Sequence, residues 1–148
     1  MMEDLPVLER VGIEPEGIDL DLYKKIGEEV TRIVEHKPGR PYIKENVRPK
    51  YGLRDNTALL PNGKKSIEIA AMPLLLIYKG IAGPTLLAEI LLHKYEYHLP
   101  FYRQVQQLRH LGFKASESTI YGWFKPAVEL LKPLYEVLKA EIMKSDYL

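Results

Sequence analysis

The chain has 148 residues, with 21 Lys plus Arg against 20 Asp plus Glu and a formal net charge of +1, which excludes a histone-like polycation and an acidic solvating tail. Hydrophobic residues make up 46% and charged residues 28%, so the chain can bury a core and disorder throughout is not expected. Cysteine is absent, which rules out disulfides, thiolate zinc sites, iron–sulfur clusters and a Cys nucleophile, and fits a cytoplasmic setting.

Residues 1–22, with Pro6, Gly12, Pro15 and Gly17 among many acids, read as an extended or irregular lead-in. Asp21 is placed to cap a helix from Leu22 to His36, where Ile26, Val30 and Ile33 recur at helical spacing and Pro38-Gly39 supplies the stop. Tyr42 to Tyr51 alternates as a half-buried strand, with Pro49 arguing for an edge or a strand end. A turn-rich link contains Asp55-Asn56 and Pro61-Asn62-Gly63, and Ile67 to Met72 reads as a second strand. The expected arrangement is an antiparallel pair packed on the first helix.

Gly80 to Pro84 reads as a hinge, because it lacks the Gly-Lys-Ser/Thr ending of a phosphate loop. Helices are expected from Pro84 to Tyr97 and from Phe101 to Leu111, the first broken by Leu99-Pro100 and the second ended by Gly112. Ser116 is the expected N-cap of a short helix carrying Ile120, Trp123 and Phe124 inward, with a kink or restart at Pro126. Ala127, Leu131, Leu134, Leu138 and Ile142 extend it as a long, kinked final helix. The fold class is therefore α+β, mostly α: a helix plus β-hairpin module over 1–79 and a helical helix-turn-helix module over 80–148. The longest apolar run, Ile69 to Tyr78, falls short of the roughly 20 residues of a membrane span, and Met1 opens no secretory leader, so no membrane partner is expected.

The near-zero charge conceals a segregation. Residues 1–35 hold ten acids and four bases, while 36–65 hold eight bases and two acids. A block of this kind is either a footprint for phosphate, with Arg48 and Lys50 as backbone contacts, or a solvated hairpin. Residues 100–125 add four bases against one acid.

Tyr102 to Lys125 carries the most information. Helix, glycine, short turn and capped helix in that order are the pattern of a helix-turn-helix, whose second helix reads base edges in the major groove. Ser116, Ser118, Thr119, Tyr121 and Lys125 then lie near the exposed part of the reading helix, with Arg103, Gln104 and Lys114 at the phosphate flanks. A plain helical bundle with a capped turn has the same pattern. The four histidines show no ligand spacing, and carboxylates form no constrained pair, so neither a metal site nor a catalytic constellation is expected. Trp123, Tyr95, Tyr97, Phe101 and Tyr102 read as packing residues rather than a base-stacking platform.

Several ordered stretches carry a family resemblance: Ile26-Gly27-Glu28-Glu29-Val30, Pro38-Gly39-Arg40, Val47-Arg48-Pro49-Lys50-Tyr51, Ile67 to Pro73, Lys79 to Pro84, His98 to Gln104, Ser118-Thr119-Ile120 with Trp123, and Ser145 to Leu148. Together they resemble the middle of a bacterial transposase of the insertion-sequence-sixty-six family. The resemblance implies a DDE-type enzyme whose carboxylates hold a divalent metal such as Mg. It places the first catalytic Asp just past the positions matching Ser145 to Leu148, so Asp146 has no catalytic match. The chain is thus expected to be a fragment without enzymatic activity or a cofactor of its own. Its expected role is to bind double-stranded DNA and recognise the element's terminal inverted repeats during transposition. The alternative is an assembly module that associates with itself or with the catalytic domain without touching DNA. Many members carry a Cys-x-x-Cys pair where this chain reads Gly52-Leu53-Arg54-Asp55-Asn56, so the 1–79 module is zinc-finger-like but cysteine-free, and zinc is not implied.

Overall fold

The computed structural model describes residues 4–54, 66–77 and 80–144. The predicted link at Asp55-Asn56 and Pro61-Asn62-Gly63, and the tail Ser145 to Leu148, lie outside the described residues. Two compact units are formed, one from Met1–Leu5, Val34–Pro41 and Leu75–Leu148, the other from Pro6–Ile33 and Tyr42–Leu74.

The predicted first helix is a strand. Tyr23–Lys37 (β2) and Arg40–Leu53 (β3) are hydrogen-bonded neighbours joined through Pro38 and Gly39, a link short enough only for an antiparallel hairpin. Proline fixes the first turn position and Gly39 takes a φ of 98°, as a type II turn requires. The supposed helical stripe is divided between two faces: Ile26 and Val30 are exposed, whereas Ile33 is buried. Gly27 and the β-branched residues Val30, Thr31, Ile33 and Val34 favour the extended chain over a helix. Asp21 caps no helix; its backbone N–H donates to Asp19 Oδ1 at 3.0 Å in the preceding turn.

The lead-in is also ordered as a strand. Val7–Gly12 (β1) runs parallel to β3, with Val7 opposite Ile43 and Gly12 opposite Val47, and with an irregularity between Val7 and Glu9. Ile67–Ile69 (β4) pairs antiparallel with β3 from Gly52 to Lys50. The sheet order is β1-β3-β2, with β4 also on β3, so β3 is central and the expected edge position of Pro49 is wrong. Since β2 occupies one side of β3, β1 and β4 share the other. Ile43 N–H donates to Pro6 and Val47 C=O accepts from Ile13, so alternation points the nitrogen of Pro49 toward that same side. There it falls between the end of β1 pairing and the start of β4 pairing, where a missing N–H leaves no ladder bond unmade.

The two oppositely charged blocks pair with each other across the sheet. Lys44 on β3 reaches Glu9 on β1 at 2.6 Å, and Glu45 on β3 receives Arg32 of β2 at 2.9 Å. Glu29 on β2 takes both Arg48 and Lys50, the latter at 3.2 Å. Tyr23, Ile33, Ile43, Val47 and Ala70 supply the buried apolar part of this unit.

The other unit is helical: Pro84–Tyr95 (α1), Phe101–His110 (α2) and Glu117–Ile142 (α3). All three pack on one another around Leu86, Leu87, Ile90, Val105, Leu108, Ile120 and Trp123. Val34 N–H donates to Ile81 at 2.6 Å and Gly83 N–H to Val34 at 2.7 Å, holding the chain entering α1 alongside the hairpin tip. The class is α+β as expected, with a four-stranded sheet larger than the predicted hairpin. α3 runs through Pro126 and Pro133 as one long final helix, as expected. The carbonyls that lose an i+4 donor belong to Gly122 and Glu129, both exposed, so water can satisfy them.

Candidate nucleic-acid interface

The segment from α2 to α3 is built by two local devices. α2 ends in a Schellman motif: Phe113 N–H donates to Leu108 C=O at 2.8 Å and Gly112 N–H to Arg109 C=O at 3.0 Å. Gly112 holds a φ of 89°, a conformation that favours glycine, and a Cβ there would sit tightly, 3.2 Å from the carbonyl oxygen of Asp4. α3 starts at Ser116, whose Oγ accepts from Thr119 N–H at 3.1 Å as predicted for an N-cap. Between the two, Phe113 and Ala115 are buried, and Phe113 stacks on Trp123 with ring centroids 6.1 Å apart.

This frame leaves a polar surface at the start of α3. Ser116 Oγ lies 2.9 Å from Ser118 Oγ and 2.7 Å from Thr119 Oγ1, a hydroxyl cluster beside the orphan backbone N–H groups of the helix N-terminus. Tyr121 and Lys125 are exposed further along the helix, and Tyr121 packs edge-on against Phe101 at 6.2 Å. Lys114 is exposed in the turn, 3.1 Å from the carboxylate of Asp4. Arg103 is exposed on α2 with its guanidinium carbon 5.8 Å from the ring centroid of Tyr102, and Arg109 is exposed one helical face away. The packing role read for Phe101 holds: it meets Phe124 at 5.0 Å and lies under Lys94 Nζ at 4.9 Å.

Three of the proposed contact residues do not offer a free surface cation or amide. Gln104 is 1% exposed; its amide donates to Leu99 C=O at 3.0 Å, and it belongs to the core of the unit. Arg48 is buried in the sheet unit, donating to Ala70 C=O at 3.0 Å and to Glu29. Lys50 is half-exposed but shares the same Glu29. The basic block over 36–65 points to Arg48 and Lys50 from sequence, but their acidic partner Glu29 lies on β2, where the sequence predicts a helix.

Sequence reasoning also missed a polar cluster at α1. His93 Nε2 lies 3.0 Å from Glu89 Oε1 and His36 Nδ1 3.5 Å from Glu89 Oε2, beside a cavity of about 40 Å³ that Gln104 and Gln107 help to line. The signal was present as Glu89-x-x-x-His93, one helical turn apart. Among the described residues no group of three or more His, Asp or Glu side chains is disposed to hold a metal ion. No described helix is long and apolar enough to cross a membrane.

Comparison with known proteins finds a family match over this helical segment. Residues 79–148 match the family described as Transposase IS66 family. The chain is 32% identical over 124 residues to the uncharacterized protein y4hP of Sinorhizobium fredii, covering 84% of the chain and 21% of that protein. It is 31% identical over 118 residues to the uncharacterized protein y4jD of the same organism, covering 80% and 22% respectively. The chain thus spans about a fifth of the length of the curated relatives it matches. No solved structure matches it.

Proposed function

We propose that the chain is the DNA-binding portion of a transposase and that it recognises the terminal inverted repeats of an insertion sequence. The observation that carries this reading is the coincidence of the transposase family segment, residues 79–148, with the capped α2–turn–α3 unit and its exposed hydroxyls and bases. In this reading the first turns of α3 enter the major groove. Ser118 and Tyr121 face base edges, while Arg103, Lys114 and Lys125 contact phosphates, and the N-terminus of α3 adds backbone donors. Gln104 acts from the core, setting the link before α2, and Arg48 and Lys50 hold the sheet together. Catalysis by DDE carboxylates and their metal belongs to the rest of such a transposase.

The test is a set of four single variants bound to inverted-repeat duplex. Lys125→Ala and Arg103→Ala are expected to flatten the salt dependence by about one unit each, as lost phosphate contacts do. Ser118→Ala and Tyr121→Ala are expected to change base preference instead. Four variants binding like the parent would refute this docking. A second reading, an assembly role for α3, is favoured by the run of exposed apolar side chains after Ala127.

A further inference from the structure

α3 outlasts the unit that it helps to build. Its last buried residue is Ala127, yet the helix continues to Ile142, and every residue from Glu129 to Lys144 is exposed. This stretch is not polar. Leu130, Leu131, Leu134, Val137, Leu138 and Ile142 are each about half or more exposed, and helical spacing puts them on one broad face. Glu129, Lys132, Glu136 and Lys139 fall on the opposite face. Single exposed apolar residues are ordinary, but a contiguous helical face of this length marks an interface.

The order of these residues states what fits the face. The pattern is symmetric about Leu134: Leu130 and Leu131 precede it by four and three, and Val137 and Leu138 follow it by three and four. We infer that this face pairs with a second copy of the chain, the two α3 helices running antiparallel with a two-fold axis at Leu134. Such an axis sets Leu134 on Leu134 of the other copy, Leu131 on Leu138, and Leu130 on Val137, with no polar residue on that face between Leu130 and Leu138. A closed two-fold contact of this kind is isologous, each copy offering the same patch.

Charge selects the antiparallel sense. Glu141 lies on the same face as Leu134 and Leu138, two turns on from Leu134. Parallel, in-register helices would stack the two Glu141 carboxylates against each other, a juxtaposition that interfaces avoid. The antiparallel arrangement sends them to opposite ends of the seam, about 20 Å apart at 1.5 Å per residue. There each keeps its own Lys144 partner at 2.8 Å. Half-exposed side chains of this number give each copy on the order of several hundred Å², approaching the roughly 800 Å² per partner of a stable interface.

The experiment is sedimentation of the 148-residue chain over a concentration series without DNA, beside Leu134→Glu, with far-UV circular dichroism and Trp123 fluorescence as checks of folding. The parent is expected to form dimers. Leu134→Glu, at a side chain 66% exposed, is expected to keep the fold and raise the dimer dissociation constant at least tenfold. The absence of native cysteine allows orientation to be read separately. An oxidised mixture of Leu131→Cys and Leu138→Cys chains should form mainly the mixed disulfide. A parent that stays monomeric at all concentrations, or dimers insensitive to Leu134→Glu, would overturn the pairing. A 131–131 disulfide in place of the mixed one would overturn the antiparallel seam. None of these readouts involves DNA, so they stand or fall apart from the DNA-binding reading.

Discussion

The carboxylate of Glu35, on the hairpin, closes the N-terminus of α1: Oε2 accepts from the backbone N–H of Thr85 at 3.0 Å and from the Thr85 hydroxyl. The same hydroxyl accepts from His36 N–H at 2.6 Å. α1 has no side-chain cap of its own, because its N-cap is Gly83. The glycine is needed for room and not for conformation, since its φ of −79° suits any residue whereas a Cβ would lie 2.2 Å from the Glu35 carboxyl carbon. Gly83→Ala should therefore displace the Glu35 carboxylate, the far end of a flexible side chain, and cost about 0.5–2 kcal/mol, the range for a lost cap. Glu35→Ala should cost about 0.5–2 kcal/mol as a lost cap. Denaturant titration of both singles and the double tests this; the double should be less destabilised than the two singles combined, and strict additivity would show that the residues do not meet.

Trp123 fixes the turn between α2 and α3 through its stack on Phe113, and it is 8% exposed. Trp123→Ala should destabilise the helical unit by about 3–5 kcal/mol, as deletion of a buried large aromatic does. Thermal or denaturant unfolding followed by helix signal checks it; a loss below about 1 kcal/mol would mean that the ring does not hold the turn.

Arg48 and Lys125 separate stability from binding. Arg48→Met removes a buried guanidinium that serves Ala70 C=O and Glu29, and should cost about 1–3 kcal/mol. It should leave the salt slope of DNA binding unchanged. Lys125→Ala, on an exposed helix position, should do the reverse. Parallel unfolding and binding titrations distinguish them, and a reduced salt slope for folded Arg48→Met would return the sheet to the DNA interface.

Alkali should weaken the sheet unit. The hydrogen bond to Glu14, at 2.8 Å, and then burial hold the Tyr51 phenol above its ordinary range; burial first, then Glu68 and Asp19, do the same for Tyr23. The folded state therefore holds these protons more tightly than the unfolded chain. Their contribution is complete below the ordinary tyrosine range, near pH 10, and is lost as pH rises through the folded values. Tyr51→Phe should show a shallower decline in stability above that pH. An unchanged profile would mean that the Glu14 contact exerts no hold on the proton.

The helical half was legible from sequence because its signals are local. Pro84, Pro100, Gly112 and Ser116 punctuate the chain where the helices start and stop, and Ile120 with Trp123 sits on the inward face. The sheet half was not, because its determinants are distant in sequence. Ile26, Val30 and Ile33 fit a helix when read alone. Their extended conformation depends on β3, and β3 is held in turn by Val7–Gly12, more than thirty residues earlier. The charge segregation misled for the same reason: Arg48 reads as a free base until Glu29 is placed on the neighbouring strand. At the candidate site, the exposed residues Ser116, Ser118, Tyr121 and Lys125 followed from the cap and the helical period. Gln104 did not, since its burial depends on α1 and α3 closing over α2.

The most direct test of DNA recognition is titration of the chain against labelled inverted-repeat duplex and a scrambled duplex of equal length and composition across a salt series. Both should show affinity falling with salt, and the inverted repeat should keep a constant advantage of tenfold or more after the electrostatic part is subtracted. Equal affinity for the two duplexes at every salt concentration would contradict sequence-specific recognition by α3.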